Sequence, residues 1–291
     1  MHTYIIAKPI ISCANVLGES PLWDPAKKTL FWVDIELGLL YEYLPELPLL
    51  NVHKIGQKLG CIALTETEHL LLATEFGFAF YRPGDAFPQN FLDIIPRESG
   101  AMFNDGRISP SGDFWVGSKG PRGSAKLYRL NRDLKVDLIL EGLSISNGIG
   151  WSLDNRFFYH TDSFDRCVYR YNLGNNLPIN REVFYTPPIG TPDGLALDTA
   201  GNLWVAIWDG SRVVQLSPDG EELAQILLPV SRPTSVAFGG LKMRTLYITS
   251  ASVDLSEDEK SAQPYAGALF SVEVDAVGLH TERFILRAAP E

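Results

Sequence analysis

The chain has 291 residues, 45% hydrophobic and 21% charged, with 25 Gly and 19 Pro, a globular composition long enough to bury a large core and one that excludes intrinsic disorder. Asp and Glu outnumber Lys and Arg by 35 to 25, giving a formal charge of −10 without any basic stripe, so nucleic acid is excluded as a partner. The most apolar stretches, such as residues 70–80, are short and broken by Glu75, whereas a bilayer span needs roughly 18 consecutive apolar residues, so no membrane is expected. In chain order, residues 3–11 read as an N-terminal strand; Lys8 and Pro9 interrupt it and no basic start precedes it, so it does not read as a signal peptide. Six segments of one grammar follow, each a polar turn, a short apolar strand, a tight turn, an apolar or aromatic strand, another turn and a third strand. Aligned on Trp23, Ile62, Ile108, Ile149, Leu195 and Val236, they repeat at about 43 residues.

The clearest copies are Asn147-Gly148-Ile149-Gly150-Trp151 with strands 157–160 and 167–171, and Asp193-Gly194-Leu195-Ala196-Leu197 with strands 203–207 and 212–216. Runs of β-branched and aromatic residues between Asp-Gly, Asn-Gly and Ser-Gly turns specify antiparallel hairpins. A repeat of this length with three or four strands is the signature of a propeller blade, so the predicted fold is an all-β, six-bladed propeller around a central channel. No linker divides the chain, and residues 1–291 are read as one domain. The sixth copy is read over 234–250, 268–274 and 283–287, completed by the N-terminal strand 3–11, which closes the ring without an exposed edge. The polar segment 252–266 is expected as an exposed loop. A two-sheet sandwich does not explain the repetition, and a β-helix would need repeats about half as long or less. Cys13, Cys61 and Cys167, an odd set without C-x-x-C, are expected as free thiols in a reducing compartment, hence a cytoplasmic location.

In a propeller the first strand of each blade lines the channel, so residues just before it converge on one mouth. That register holds Glu19, Gly60, Asn104, Asn147, Asp193 and Pro233. Two carboxylates and two carboxamides, without His or Cys, form a hard-donor set suited to one divalent cation: Ca²⁺, Mg²⁺, Mn²⁺, or a loosely held Zn²⁺ or Fe²⁺. Each residue alone also has a duller reading. Asn104-Asp105-Gly106, Asn147-Gly148 and Pro192-Asp193-Gly194 are good turn sequences, and Pro218-Asp219-Gly220 is a matching tripeptide where only a turn is expected. A solvated side chain is the default for Glu19. The turn reading explains the residues one at a time but not their common register. His2, His53, His69, His160 and His280 share no register and are expected in strand or surface roles; the six Trp are expected to pack between blades; and no Gly-x-Ser-x-Gly elbow, P-loop or dinucleotide glycine pattern occurs.

Gly18-Glu19-Ser20-Pro21-Leu22-Trp23, Phe103-Asn104-Asp105-Gly106, the run Ser146 to Ser152, and Pro192-Asp193-Gly194-Leu195-Ala196-Leu197-Asp198 resemble, in order, the signatures of the regucalcin (senescence marker protein)/gluconolactonase/luciferin-regenerating enzyme family of sugar lactonases. Gly201 to Ala206 and Arg232 to Gly240 extend the resemblance over nearly the whole chain. It implies a six-bladed propeller with one divalent cation at the channel mouth, held by Glu19, Asn147 and Asp193. It further implies Asp193 as general base and Asn104 as a substrate contact. Two departures stand out: Met102 replaces an Arg of sugar-binding relatives, and Ser118-Lys119-Gly120-Pro121-Arg122-Gly123 replaces a Thr-Met and acidic stretch. Met102, Lys119 and Arg122 are therefore expected in a rebuilt substrate pocket, and the two cations predict an anionic lactone such as that of an aldaric acid. The expected activity is metal-dependent hydrolysis of a sugar-acid lactone. The alternatives are a non-catalytic calcium-binding or protein-interaction propeller and a metal-dependent phosphotriesterase.

Overall fold

In the computed structural model, which describes residues 3–287, the alternating apolar runs form six sheets, each built of antiparallel strands in chain order from the channel outward, with N-terminal strands added at the outer edges of the last two. Blade one comprises Gly18–Asp24, Thr29–Asp34, Leu39–Leu44 and Leu49–Lys54; blade two Leu59–Leu64, Leu70–Thr74, Gly77–Tyr81 and Gln89–Asp93; blade three Met102–Ile108, Phe114–Lys119, Ala125–Leu130 and Val136–Leu143. Blade four comprises Ser146–Trp151, Phe157–Asp162, Cys167–Gly174 and Leu177–Tyr185; blade five Thr191–Leu197, Leu203–Trp208, Arg212–Leu216 and Glu222–Leu227; blade six Pro233–Gly239, Thr245–Ser250 and Leu269–Glu273. Each innermost strand packs against the next, and that of blade six against that of blade one, which closes the ring of the predicted propeller. Among the described residues no helix is long and apolar enough to cross a membrane.

The core lies between blades. Val33, Ile35 and Leu40 of blade one meet Leu59, Ile62 and Leu72 of blade two; Phe78 of blade two meets Phe103 and Phe114 of blade three; Trp115 of blade three meets Trp151 and Phe158 of blade four. Each large apolar side chain buried this way contributes roughly 1.5–3 kcal/mol, which makes a rigid frame for whatever the inner strands carry. Cys61 and Cys167 are buried and Cys13 is half-buried, all as free thiols.

Three expectations change. Residues 3–11 form two strands: Thr3–Ile6 pairs parallel to Glu222–Leu227 as a fifth strand of blade five, and Lys8–Ile11 pairs antiparallel to Leu269–Glu273 as the outer strand of blade six. Buried Ala7 sits between them and donates its N–H to Leu227 O, which splits the run. Residues 283–287 are not part of blade six but run beneath blades one to three. Phe284 N–H donates to Leu64 O, and Arg283 reaches Asp24 at 2.6 Å. The polar segment 252–266 contains a helix, Glu257–Ala262, started by a capping box in which Ser256 and Glu259 satisfy each other's backbone N–H groups. His2 lies outside the described residues.

Candidate functional site

All six innermost strands carry a register irregularity at the same level: between Glu19 and Leu22, Leu59 and Cys61, Phe103 and Gly106, Ser146 and Ile149, Pro192 and Leu195, and Pro233 and Val236. A bulge leaves one residue out of the ladder and re-aims its side chain. The Asn-Asp-Gly, Asn-Gly and Pro-Asp-Gly sequences at this level are therefore strand bulges, whereas Pro218-Asp219-Gly220 is a true exposed turn with Gly220 at φ +89°. The bulge glycines answer to crowding between blades: a Cβ on Gly148 would lie 2.6 Å from Asp193 O, and one on Gly194 2.1 Å from Ser235 Oγ.

Glu19, Asn104, Asn147 and Asp193 are each only 5–6% exposed. Gly60 contributes no side chain, and in blade six the ladder sets Pro233 level with Pro192, so that Thr234, not the expected Pro233, stands level with Asp193 and donates its hydroxyl to Gly18 O. Asn104 Nδ2 donates to Asn147 Oδ1 at 2.6 Å and to Ser146 O at 3.1 Å, which ties blade three to blade four. Asn147 Nδ2 donates to Ser163 Oγ at 2.8 Å, and Ser163 Oγ donates to Pro192 O at 2.8 Å, beside Asp193 on blade five. Glu19 Oε2 accepts from Ser20 N at 2.9 Å. Asp193 Oδ1 is buried with no hydrogen-bond partner.

The electrostatics follow from burial of like charges. Burial first, and then the charge of Asp105, push the Glu19 carboxyl up to about 8. Burial, then Glu19, then Asp105, raise Asp193 well above the usual carboxylate range. Asp105, expected as a turn residue, is itself raised by burial, with Arg107 opposing. Lys119 and Arg107 offset these charges only in part, and an orphaned carboxylate oxygen near a second buried carboxylate suits a hard divalent cation. Among the described residues no trio of His, Cys, Asp and Glu gathers at ligand spacing, so a cation here needs the carboxamide as its third donor.

Lys119 is also at this mouth. It ends the second strand of blade three, paired with Met102 and bridged to Ile145, one residue past Ser118, which holds the register of Asp34 in blade one and Asp162 in blade four. Those aspartates accept backbone N–H groups from the segment entering the inner strand, Val16 and Leu17 for Asp34, Ser144 and Ile145 for Asp162. Lys119 Nζ has no hydrogen-bond partner among the described residues. Burial lowers its pKa, opposed by the charges of Glu36, Glu19 and Asp193. Of the other two expected substrate contacts, Met102 is buried in the apolar cluster of Ile35, Leu59 and Ile62, and Arg122 is exposed with its guanidinium 5.0 Å from the Phe164 ring centroid. A cavity of about 470 Å³ lies farther along the channel, lined among others by Trp23, Asp105, Arg107, Trp151 and Phe238. None of the four ring donors lines it, and Arg107 spends a hydrogen bond on Leu195 O at 2.6 Å.

Residues 17–252 match the model of the SMP-30/Gluconolactonase/LRE-like region. The 6-deoxy-6-sulfogluconolactonase of Pseudomonas putida is 35% identical over 93% of this chain and 96% of its own length. The L-arabinolactonase of Azospirillum brasilense is 37% identical over 93% and 92%. Among solved structures, the calcium-binding protein regucalcin from Agrobacterium tumefaciens strain C58 superposes with a TM-score of 0.92 at 27% identity, covering 98% of this chain and 100% of that one.

Proposed function

The chain belongs to the SMP-30/gluconolactonase/LRE-like family and is a lactonase, and we propose that it opens the ring of a sugar-acid lactone at a site where Glu19, Asn147 and Asp193 hold one divalent cation. The observation that carries this reading is the buried, unpartnered Asp193 Oδ1 in the same register as three other oxygen donors. A cation bound there supplies a Lewis acid for the lactone carbonyl and its developing negative charge. Asp193 takes the proton from the attacking water; burial, then Glu19 and Asp105, raise its pKa above the usual carboxylate range. Water adds to the carbonyl carbon, the ring C–O bond breaks, and the proton passes to the departing ring oxygen. Asn104 turns its Nδ2 toward Ser146 and Asn147, leaving Oδ1 to accept from a substrate hydroxyl.

The same site favours a lactone that carries a second, anionic group. Lys119 presents three donors without a protein partner, and a charge-assisted hydrogen bond is about twice as strong as a neutral one. Arg122, exposed in the segment that follows, supplies a second cation, and Met102, paired with Lys119, is buried in the apolar cluster. The test is acid release from a panel of neutral and anionic lactones by chelator-treated protein, before and after addition of Ca²⁺, Mg²⁺, Mn²⁺ or Zn²⁺. Hydrolysis that returns only with metal supports the proposal; full turnover after exhaustive chelation overturns it.

A further inference from the structure

We propose that Ser163 is a positioning residue that fixes the Asn147 amide with its oxygen toward the ring and its NH₂ away from it. An asparagine offers a cation an oxygen in one orientation and two N–H groups in the other, so the wrong flip converts a ligand into a repulsive group. Two backbone carbonyls, which can only accept, determine the flip. At one end Ser146 O takes a hydrogen from Asn104 Nδ2, which sets Asn104, and the same nitrogen then donates to Asn147 Oδ1. At the other end Pro192 O takes the hydroxyl hydrogen of Ser163, so Ser163 Oγ can offer only lone pairs to Asn147. Asn147 meets them with Nδ2 at 2.8 Å. Reversing the amide would set its oxygen against a hydroxyl whose hydrogen is already used and its NH₂ against the Asn104 NH₂.

The serine is itself held. Its N–H donates to Ile145 O, and the preceding Asp162 accepts N–H bonds from Ser144, Ile145 and Phe164, so the loop is stitched to the segment that delivers Asn147. In blade one the corresponding residue is Ile35, whose N–H donates to Leu17 O in the same way. The backbone contact thus needs no hydroxyl; only the blade bearing Asn147 has one there and uses it on the amide. Partners that orient a metal ligand typically contribute 10–100-fold to affinity.

Resting on the metal set proposed above, the inference is tested by titrating chelator-treated protein with Mn²⁺ alone and measuring the dissociation constant calorimetrically. Ser163→Ala is expected to weaken Mn²⁺ binding roughly 10–100-fold, and Ser163→Thr, which keeps the hydroxyl, to restore it. Ser163→Cys, of similar volume but a weak acceptor, repeats the loss should the alanine variant not fold. In an Asn147→Asp background, where both side-chain atoms are oxygens and no wrong flip exists, Ser163→Ala is expected to lose almost nothing. Unchanged affinity in Ser163→Ala, or an equal loss in both backgrounds, overturns the positioning role while leaving the metal site standing. A wild-type protein that binds no Mn²⁺ overturns the site and the inference together.

Discussion

Replacing Asp193 by Asn keeps the shape of the side chain but removes its negative charge and its capacity to take a proton. Asp193 Oδ1 has no hydrogen-bond partner and sits in a buried set with Glu19 and Asp105, so the substitution breaks no hydrogen bond of that oxygen and relieves like-charge repulsion. Stability should hold or rise, and the effect should appear in turnover and cation affinity. General-base catalysis contributes about 10²–10⁴ in rate, and loss of a charged ligand acts in the same direction, so kcat should fall at least 10²-fold, roughly 3 kcal/mol of transition-state stabilisation. The chain carries its own control in Asp219, which occupies an otherwise identical Pro-Asp-Gly in an exposed turn beside Ser217. There Asp→Asn should change stability by no more than about 0.5 kcal/mol and leave turnover intact. Both variants are compared by steady-state acid release on the best lactone, with denaturant midpoints alongside. Equal, small effects at the two positions, or an Asp193 loss explained by unfolding, would refute the reasoning.

Lys119→Met should lower kcat/KM for an anionic lactone roughly 10–100-fold while changing a neutral one little; equal changes on both substrates would rule out charge recognition. His160 is buried, with its ring Nε2 2.7 Å from Ser146 Oγ, and burial followed by the charge of Arg181 lowers its pKa to about 3. Its unfolded value is near 6.5, so the unfolded chain binds the proton first. The group's contribution is complete above about pH 6.5 and is lost as pH falls toward 3, at about 1.4 kcal/mol per unit. Between pH 6.5 and 5 the wild type should therefore lose about 2 kcal/mol more than His160→Gln in denaturant titrations, and parallel losses would contradict this. Gly194→Ala forces a Cβ to within 2.1 Å of Ser235 Oγ and should cost about 1–3 kcal/mol together with metal affinity, read by denaturation and Mn²⁺ titration.

The six-bladed fold was legible because each blade repeats one pattern, and the heads of the repeats, Trp23, Ile62, Ile108, Ile149, Leu195 and Val236, all fall on inner strands. What could not be read locally was the difference between a turn and a bulge. Pro192-Asp193-Gly194 and Pro218-Asp219-Gly220 have the same local chemistry, and only the neighbouring blade, pressing Ser235 against Gly194, makes the first a strand. The N-terminal segment splits at Ala7 for a similarly distant reason, a hydrogen bond to Leu227 O in blade five. Ser163 gave no signal in sequence because its partners, Asn147 and Pro192, are set by tertiary structure. Asp105 was hidden by its neighbour: adjacent strand residues are expected to point to opposite faces, and the bulge between Phe103 and Gly106 breaks that alternation. Lys119 became informative only in the fold, where its ammonium is buried near Glu19 and Asp193, residues far from it in the chain.

The central claim is that Glu19, Asn147 and Asp193 form one cation site at the channel mouth. It is tested most directly by calorimetric titration of chelator-treated protein with a divalent cation, in the wild type and in Glu19→Gln, Asn147→Ala and Asp193→Asn, with folding checked for each. One equivalent bound by the wild type, and affinity reduced in all three folded variants, is the predicted result. Binding of no cation, or binding that survives all three substitutions unchanged, would contradict it.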